Sequence, residues 1–316
     1  MKLHSYLFSI LVSGMLLTSC EEPYTPPTTD ADQQFVIEGY VEEGEGSLPT
    51  YVMVTRSIPY ITTIGPDQLA NIFVKDAKVT VYDGEKTVAL TQLCLGDLPE
   101  ELREQAAAIL GINADSTSLN ICLYVDLLQQ INKKQGGKYD LTVDIDGYVM
   151  TSTTTIPSFV PLFDAHFEEP PGEPSDTLAA LWFKIKDPVG PNYYRYFTTD
   201  DEGDQLIAPF QSTTDDAFFD GKEFDFPLNQ AERRGGGGDD NNNFDDFGLF
   251  TRGDSLTVKW MCLDKVHFDF WKTRDFAANS GGPFSSYTRI KTNINGGLGI
   301  WGGYSVQNYR LYCPPK

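Results

Sequence analysis

Tyr139-Asp140-Leu141-Thr142-Val143-Asp144-Ile145, followed by Asp146-Gly147 and the threonine-rich run 148–156, is the stretch that decides the fold. Tyr139, Leu141, Val143 and Ile145 alternate with polar residues, and a period of two places all four on one face of a strand. Asp-Gly between two such runs is a hairpin turn, so 148–156 returns antiparallel to 139–145. Working outward, runs 34–42, 51–56 and 77–82 have strand composition, and Asp83-Gly84 turns the chain into a further strand over 86–93. This succession predicts a small Ig-like β-sandwich over 34–156. One stretch interrupts it. Asp97 as an N-cap, Pro99, Glu100 and Glu101 in the first turn, and Gly111 at the end are helix start and stop signals in order. A helical insertion is therefore expected between Cys94 and Cys122, with a strand resuming over 119–125.

The proline-rich segment 157–176 reads as a linker to a second antiparallel β domain over 177–316. There, 178–186 and 193–198 are strand-like, and Leu256, Val258, Trp260 and Cys262 alternate onto one face. Residues 265–278, which carry Trp271, suit a short helix. The run 235–246, Gly-Gly-Gly-Gly-Asp-Asp-Asn-Asn-Asn-Phe-Asp-Asp, has low complexity and reads as a loop. A glycine-rich approach from Asn293 leads to a final strand over 304–312. The fold class expected is mainly β throughout.

The N-terminus says where such a body resides. Lys2 precedes an apolar run from Tyr6 to Leu17, shorter than the roughly 20 residues a permanent membrane helix needs. A charged start, a short apolar centre and a small-residue exit describe a secretory signal peptide over 1–19. Its exit, Leu17-Thr18-Ser19-Cys20, resembles the bacterial lipobox, in which the cysteine thiol takes a diacylglycerol before cleavage. Cys20 is thus the expected lipid attachment, and the polar, proline-containing segment 20–33 an extended tether. The membrane is reached through that lipid, with outer-membrane localisation expected. Glu21 and Glu22 beside it are similar to the surface-export signals of Bacteroidetes lipoproteins.

A net charge of −21, one unit more negative once Lys2 is cleaved away, argues against nucleic acid as a partner. With Cys20 assigned to lipid, Cys94, Cys122, Cys262 and Cys313 remain, enough for two disulfides in an oxidising compartment. Chain order suggests Cys94–Cys122 and Cys262–Cys313, with the other pairings and free thiols left open. No GxSxG elbow, HExxH or P-loop occurs, so neither a catalytic constellation nor a cofactor is expected. His166 and His267 read as structural. Asp200, Asp201 and Asp204, with Asp239 and Asp240, supply the hard oxygens that calcium prefers, although solvated acidic loops explain such runs more often. Trp182 and Trp260 fall within strands and belong to the core. Trp301, among glycines, is the candidate for contact with a ligand or partner, core packing being the alternative.

Several of these runs also carry a family resemblance. The lipobox, Val36-Ile37-Glu38-Gly39-Tyr40-Val41, Thr55-Arg56-Ser57, Lys78-Val79-Thr80-Val81, Gly137-Lys138-Tyr139-Asp140-Leu141 and Asn293-Ile294-Asn295-Gly296-Gly297-Leu298-Gly299 occur in this order over nearly the whole chain. Together they resemble the domain-of-unknown-function 4249 family of Bacteroidetes outer-membrane lipoproteins. The resemblance implies an outer-membrane lipoprotein in the setting of TonB-dependent transporters, and no catalytic residues. The expected function is that of a non-catalytic accessory or ligand-binding partner of a TonB-dependent β-barrel channel. A structural component of the outer membrane without a small ligand is the alternative, and a surface hydrolase the more remote one.

Overall fold

A computed structural model describes residues 32–45, 47–58, 72–103, 121–199, 205–231, 247–279 and 288–316. The first half supplies β1 (Phe35–Gly44), β2 (Tyr51–Arg56), β3 (Lys78–Tyr82), β4 (Thr87–Ala89), β5 (Thr91–Cys94), β6 (Cys122–Val125), β7 (Lys138–Ile145) and β8 (Tyr148–Thr155). The second supplies β9 (Leu162–Glu168), β10 (Leu178–Lys186), β11 (Tyr193–Thr199), β12 (Leu206–Ile207), β13 (Thr213–Asp215), β14 (Glu223–Leu228), β15 (Phe250–Thr251) and β16 (Ser255–Leu263). Helix α1 (Lys265–Asn279) and the long strand β17 (Leu298–Tyr312) follow. The chain is mainly β, with antiparallel pairing nearly everywhere and one α-helix bounded within the described residues.

The β7–β8 hairpin forms around Asp146 and Gly147, whose φ angles of 52° and 89° are the left-handed values that a two-residue turn needs. Tyr139, Leu141, Val143 and Ile145 all point inward. So do Leu256, Val258, Trp260 and Cys262 on β16. The insertion after Cys94 opens helically at residues 100–103, where the Arg103 N–H donates to the Pro99 carbonyl; residues 104–120 lie outside the described part.

The described strands form three sheets. The largest has nine strands, in the order β12-β11-β16-β17-β1-β2-β6-β5, with β13 also on β11. Its centre is the parallel pair β1–β17, in register from Val36 with Leu298 to Gly44 with Val306. The first and last strands of the described chain are therefore neighbours. On one face of this sheet, Ile37, Val41 and Trp301 pack with residues of the β4-β3-β7-β8 sheet, such as Val79, Leu141 and Met150. Further along, Trp260, Val258 and Tyr194 pack with Leu181, Phe183 and Ile185 of β10. The other face carries Tyr40, Met261, Ile300 and Tyr304 with Phe268 of α1.

This arrangement corrects the expected linker. Segment 157–176 contains β9, which pairs with β10, and Val160 and Leu162 belong to the Trp260 core. The described residues from 33 onward, Ile58 excepted, belong to one compact unit. The boundary does not divide the largest sheet, because strands from both sides of it pair within that sheet. Proline content marks where regular pairing breaks, and it carries no information about which core the next strand joins.

Cys94 and Cys122 face one another across β5 and β6 and form a disulfide. The expected Cys262–Cys313 pair is overturned, since both are buried free thiols. Cys262 opposes Ser305, while Cys313 follows Tyr312, the partner of Ser255 at the far end of the same ladder. At about 3.3 Å per residue the two are some 20 Å or more apart, far beyond the 7 Å or less that a disulfide bridges. Replacing Cys94 and Cys122 together with alanine removes the cross-link at a sequence separation of 28. An expected loss of about 3.6 kcal/mol follows from loop closure, to be read from urea denaturation against the oxidised parent.

Candidate functional site

The first strand of the sheet, the tip of the β7–β8 hairpin and the segment leading into β17 meet around an open cleft of about 580 Å³. Gln33, Gln34 and Phe35 enter from the start of β1, and Tyr148 from the hairpin. Arg289, Thr292, Ile294, Gly296, Gly297 and Leu298 line it from the segment before β17. The volume lies within the range of small-molecule sites.

The wall is held by bonds that join distant parts of the chain. Asn295 and Thr151 exchange backbone hydrogen bonds at 2.8 and 3.2 Å. The Tyr148 hydroxyl donates to the Gly296 carbonyl at 2.6 Å, and the Ser152 hydroxyl to the Asn293 carbonyl at 2.9 Å. The Asn293 side chain clamps Trp301 from both sides: Nδ2 donates to the Trp301 carbonyl at 2.7 Å, and Oδ1 accepts from its N–H at 3.0 Å. These contacts fix the 292–298 path before any ligand arrives, which lowers the ordering cost of binding.

Trp301 itself is not exposed, which corrects its candidacy as a contact residue and bears out the core-packing reading. Its ring is fully buried, and its indole N–H donates to the Tyr139 carbonyl at 3.0 Å. It belongs to the core between the two sheets rather than to the cleft lining. The aromatic surface is Phe35 and Tyr148, with ring centroids 5.6 Å apart and planes inclined at 43°. Tyr148 is half exposed, and the Arg56 guanidinium lies 4.7 Å from the Phe35 centroid. In the sequence the run 293–299 is distinctive, but its glycines draw attention to Trp301 rather than to Phe35 and Tyr148. Phe35 and Tyr148 carry no local signal of their own, since each stands in an ordinary strand pattern.

A second cluster joins residues that the sequence keeps apart. Asp187, Asp216 and Asp220 bring one carboxylate oxygen each to within 4.8 Å of one another. Asp187 accepts from the Tyr194 hydroxyl and, at 3.2 Å, from the Gly221 N–H. Asp216 accepts from the Asn192 N–H at 2.7 Å, and Asp220 from the Gly190 N–H at 2.8 Å. Burial, and then the neighbouring Asp216 and Asp220 charges, push the Asp187 carboxyl above the usual range, with the Tyr194 and Gly221 bonds opposing. Such oxygens could ligate a hard cation, yet these hydrogen bonds already hold the two loops together. The earlier calcium candidates Asp200, Asp201, Asp204, Asp239 and Asp240 lie outside the described residues, as do Cys20 and the tether up to Ala31.

His267, on α1, is buried between the rings of Tyr40 and Tyr304, with centroids 5.4 and 5.7 Å away. Its Nδ1 lies 3.4 Å from the Gly303 carbonyl, and its Nε2 has no hydrogen-bond partner among the described residues. His166 is partly exposed, with Nδ1 2.9 Å from the Asp164 carbonyl and Nε2 3.4 Å from a Glu168 oxygen. Neither histidine lines the cleft.

The family described as Domain of unknown function (DUF4249) matches residues 21–310. No curated protein and no solved structure matches the chain. Among the described residues, no helix is long and apolar enough to cross a membrane.

Proposed function

The chain belongs to the DUF4249 family, and from that premise we propose that it is a non-catalytic, lipid-anchored protein of the outer membrane that binds a ligand for, or as a partner of, a TonB-dependent channel. The observation that carries the binding part is the open cleft walled by Phe35 and Tyr148 and braced by Asn293. Its ten described lining residues include no histidine, cysteine or carboxylate, so they suit holding a molecule better than transforming one. The export part rests on the signal-like segment 1–19 and the Leu17-Thr18-Ser19-Cys20 exit. The Cys94–Cys122 bond supports an oxidising compartment. The channel as partner follows from the family setting alone. The packing of β1 and β2 against the β4-β3-β7-β8 sheet supports reading the first half as an Ig-like sandwich embedded in the larger sheet.

Cys20→Ala is expected to release the protein from the membrane fraction, measured by fractionation of cells carrying a C-terminally tagged chain. Retention in the outer membrane by the unlipidated variant would show that the tether is not the anchor. Gentle solubilisation of the tagged parent is expected to yield one β-barrel channel in near-equal amount. Recovery of lipidated, folded protein without such a channel would leave a standalone binder.

A further inference from the structure

We infer that the cleft takes a small organic anion that carries a flat ring, the ring lying on Phe35 and Tyr148 and the charge meeting Arg289. This deepens the binding role proposed above and rests on it. The chain holds 45 acidic against 24 basic residues, yet the described residues that line the cleft include one arginine and no carboxylate. Arg289 is exposed and forms no ion pair among the described residues. Among the described residues its charge is therefore unpaired, at a mouth that the rest of the protein would otherwise make repulsive to anions. Arg56, similarly without an ion pair there, stacks at 4.7 Å over Phe35, so a second positive charge stands beside the same ring.

Other ligand classes fit less well. An aromatic pair can also hold a quaternary ammonium, but the Arg56 and Arg289 charges repel a further cation. A metal ion would need oxygen, nitrogen or sulfur ligands of a kind this lining lacks, having only amides, a threonine and a tyrosine hydroxyl already bonded to Gly296. A guanidinium fork meeting a carboxylate or phosphate, beside aromatic walls that accept a ring, is the pairing the geometry offers. The volume accommodates a molecule of one or two rings.

The test is calorimetric titration of the detergent-solubilised full chain with 1-naphthyl phosphate, 1-naphthol and inorganic phosphate, each against a protein-free detergent blank. Naphthyl phosphate is expected to bind at least about tenfold more tightly than either other probe, in keeping with one charge-assisted contact added to ring burial. Arg289→Gln, at an exposed position, is expected to bring naphthyl phosphate down to the naphthol level without altering naphthol binding. Tyr148→Ala is expected to weaken both ring-bearing probes. Equal binding of naphthol and naphthyl phosphate, both reduced by Tyr148→Ala, would overturn the preference for an anion while leaving a binding cleft. Inorganic phosphate matching naphthyl phosphate would overturn the role of the ring. No binding of any probe at millimolar concentration would overturn the inference, and with it the use of this cleft, whereas the Cys20 and channel experiments would still judge the envelope role separately.

Discussion

Gly299→Ala is expected to destabilise the protein by more than about 4 kcal/mol, placing it among the rare severe single substitutions. Gly299 sits in the parallel ladder opposite Ile37 with a φ of 102°. A Cβ there would stand 1.9 Å from the Ile37 carbonyl oxygen and 2.8 Å from its carbonyl carbon. Both are backbone atoms of a fully buried strand residue, so no side chain can swing aside to relieve the clash. The strands must separate, and β1–β17 is the pairing that joins the beginning of the chain to its end across the largest sheet. Gly84→Ala provides the control. Gly84 has a similar φ of 93°, but its Cβ would meet nothing within 4 Å. That variant carries only the left-handed strain, about 1–2 kcal/mol. Urea denaturation followed by tryptophan fluorescence separates the two, since Trp301 lies two residues from Gly299 and is fully buried. A Gly299→Ala loss no larger than that of Gly84→Ala would mean that the two strands are not in tight register.

The same position explains what could be read from the sequence and what could not. Period-two alternation identified the inward residues of β7 and β16 because each strand has one apolar face and one polar face, a local property. Alternation says nothing of which strand lies alongside. Val36 to Val41 and Leu298 to Trp301 carry their faces plainly, but their parallel pairing spans some 260 residues of chain and leaves no local mark. Once that pairing was unseen, a boundary at the prolines looked natural. The glycines around Trp301 do permit close approach. What approaches at Gly299 is the Ile37 backbone rather than a ligand, and Trp301 is consequently core. Chain order suggests pairing Cys262 with Cys313, but order along the chain ignores that two residues on one antiparallel ladder can be many ångströms apart. The cleft eluded a linear reading for the same reason as the sheet: Phe35, Tyr148 and Arg289 become neighbours only after β1, the hairpin and the approach to β17 have assembled.

Acidification is expected to weaken the fold through His267 well before the pH reaches ordinary carboxylate values. Complete burial, with a smaller contribution from the Arg195 cation, pushes the folded imidazole down from 6.5 to about 3, against the Gly303 carbonyl bond that favours the charged form. The unfolded chain therefore binds a proton from about pH 6.5 downward, while the native ring stays neutral. Stability from this group is fully present above pH 6.5 and is lost as pH falls toward 3, at about 1.4 kcal/mol per unit and roughly 4–5 kcal/mol in all. Asp264, which caps α1 by accepting the His267 N–H at 2.8 Å, acts in the opposite sense. Burial raises its carboxyl, so the native state takes up that proton first and gains stability on acidification. Subtracting a variant removes this second contribution. Parent and His267→Gln are to be unfolded in urea at pH 7 and pH 4.5, where the parent is expected to lose roughly 2–3 kcal/mol more than the variant. Ring-proton NMR gives an independent reading on the parent alone. His166, drawn up mainly by the Asp164 carbonyl and also by Glu168, is expected to titrate above the ordinary histidine value, while His267 shows no protonation down to pH 4.5. Equal acid losses in parent and variant, with both rings titrating near neutrality, would mean that α1 does not seal His267 between Tyr40 and Tyr304.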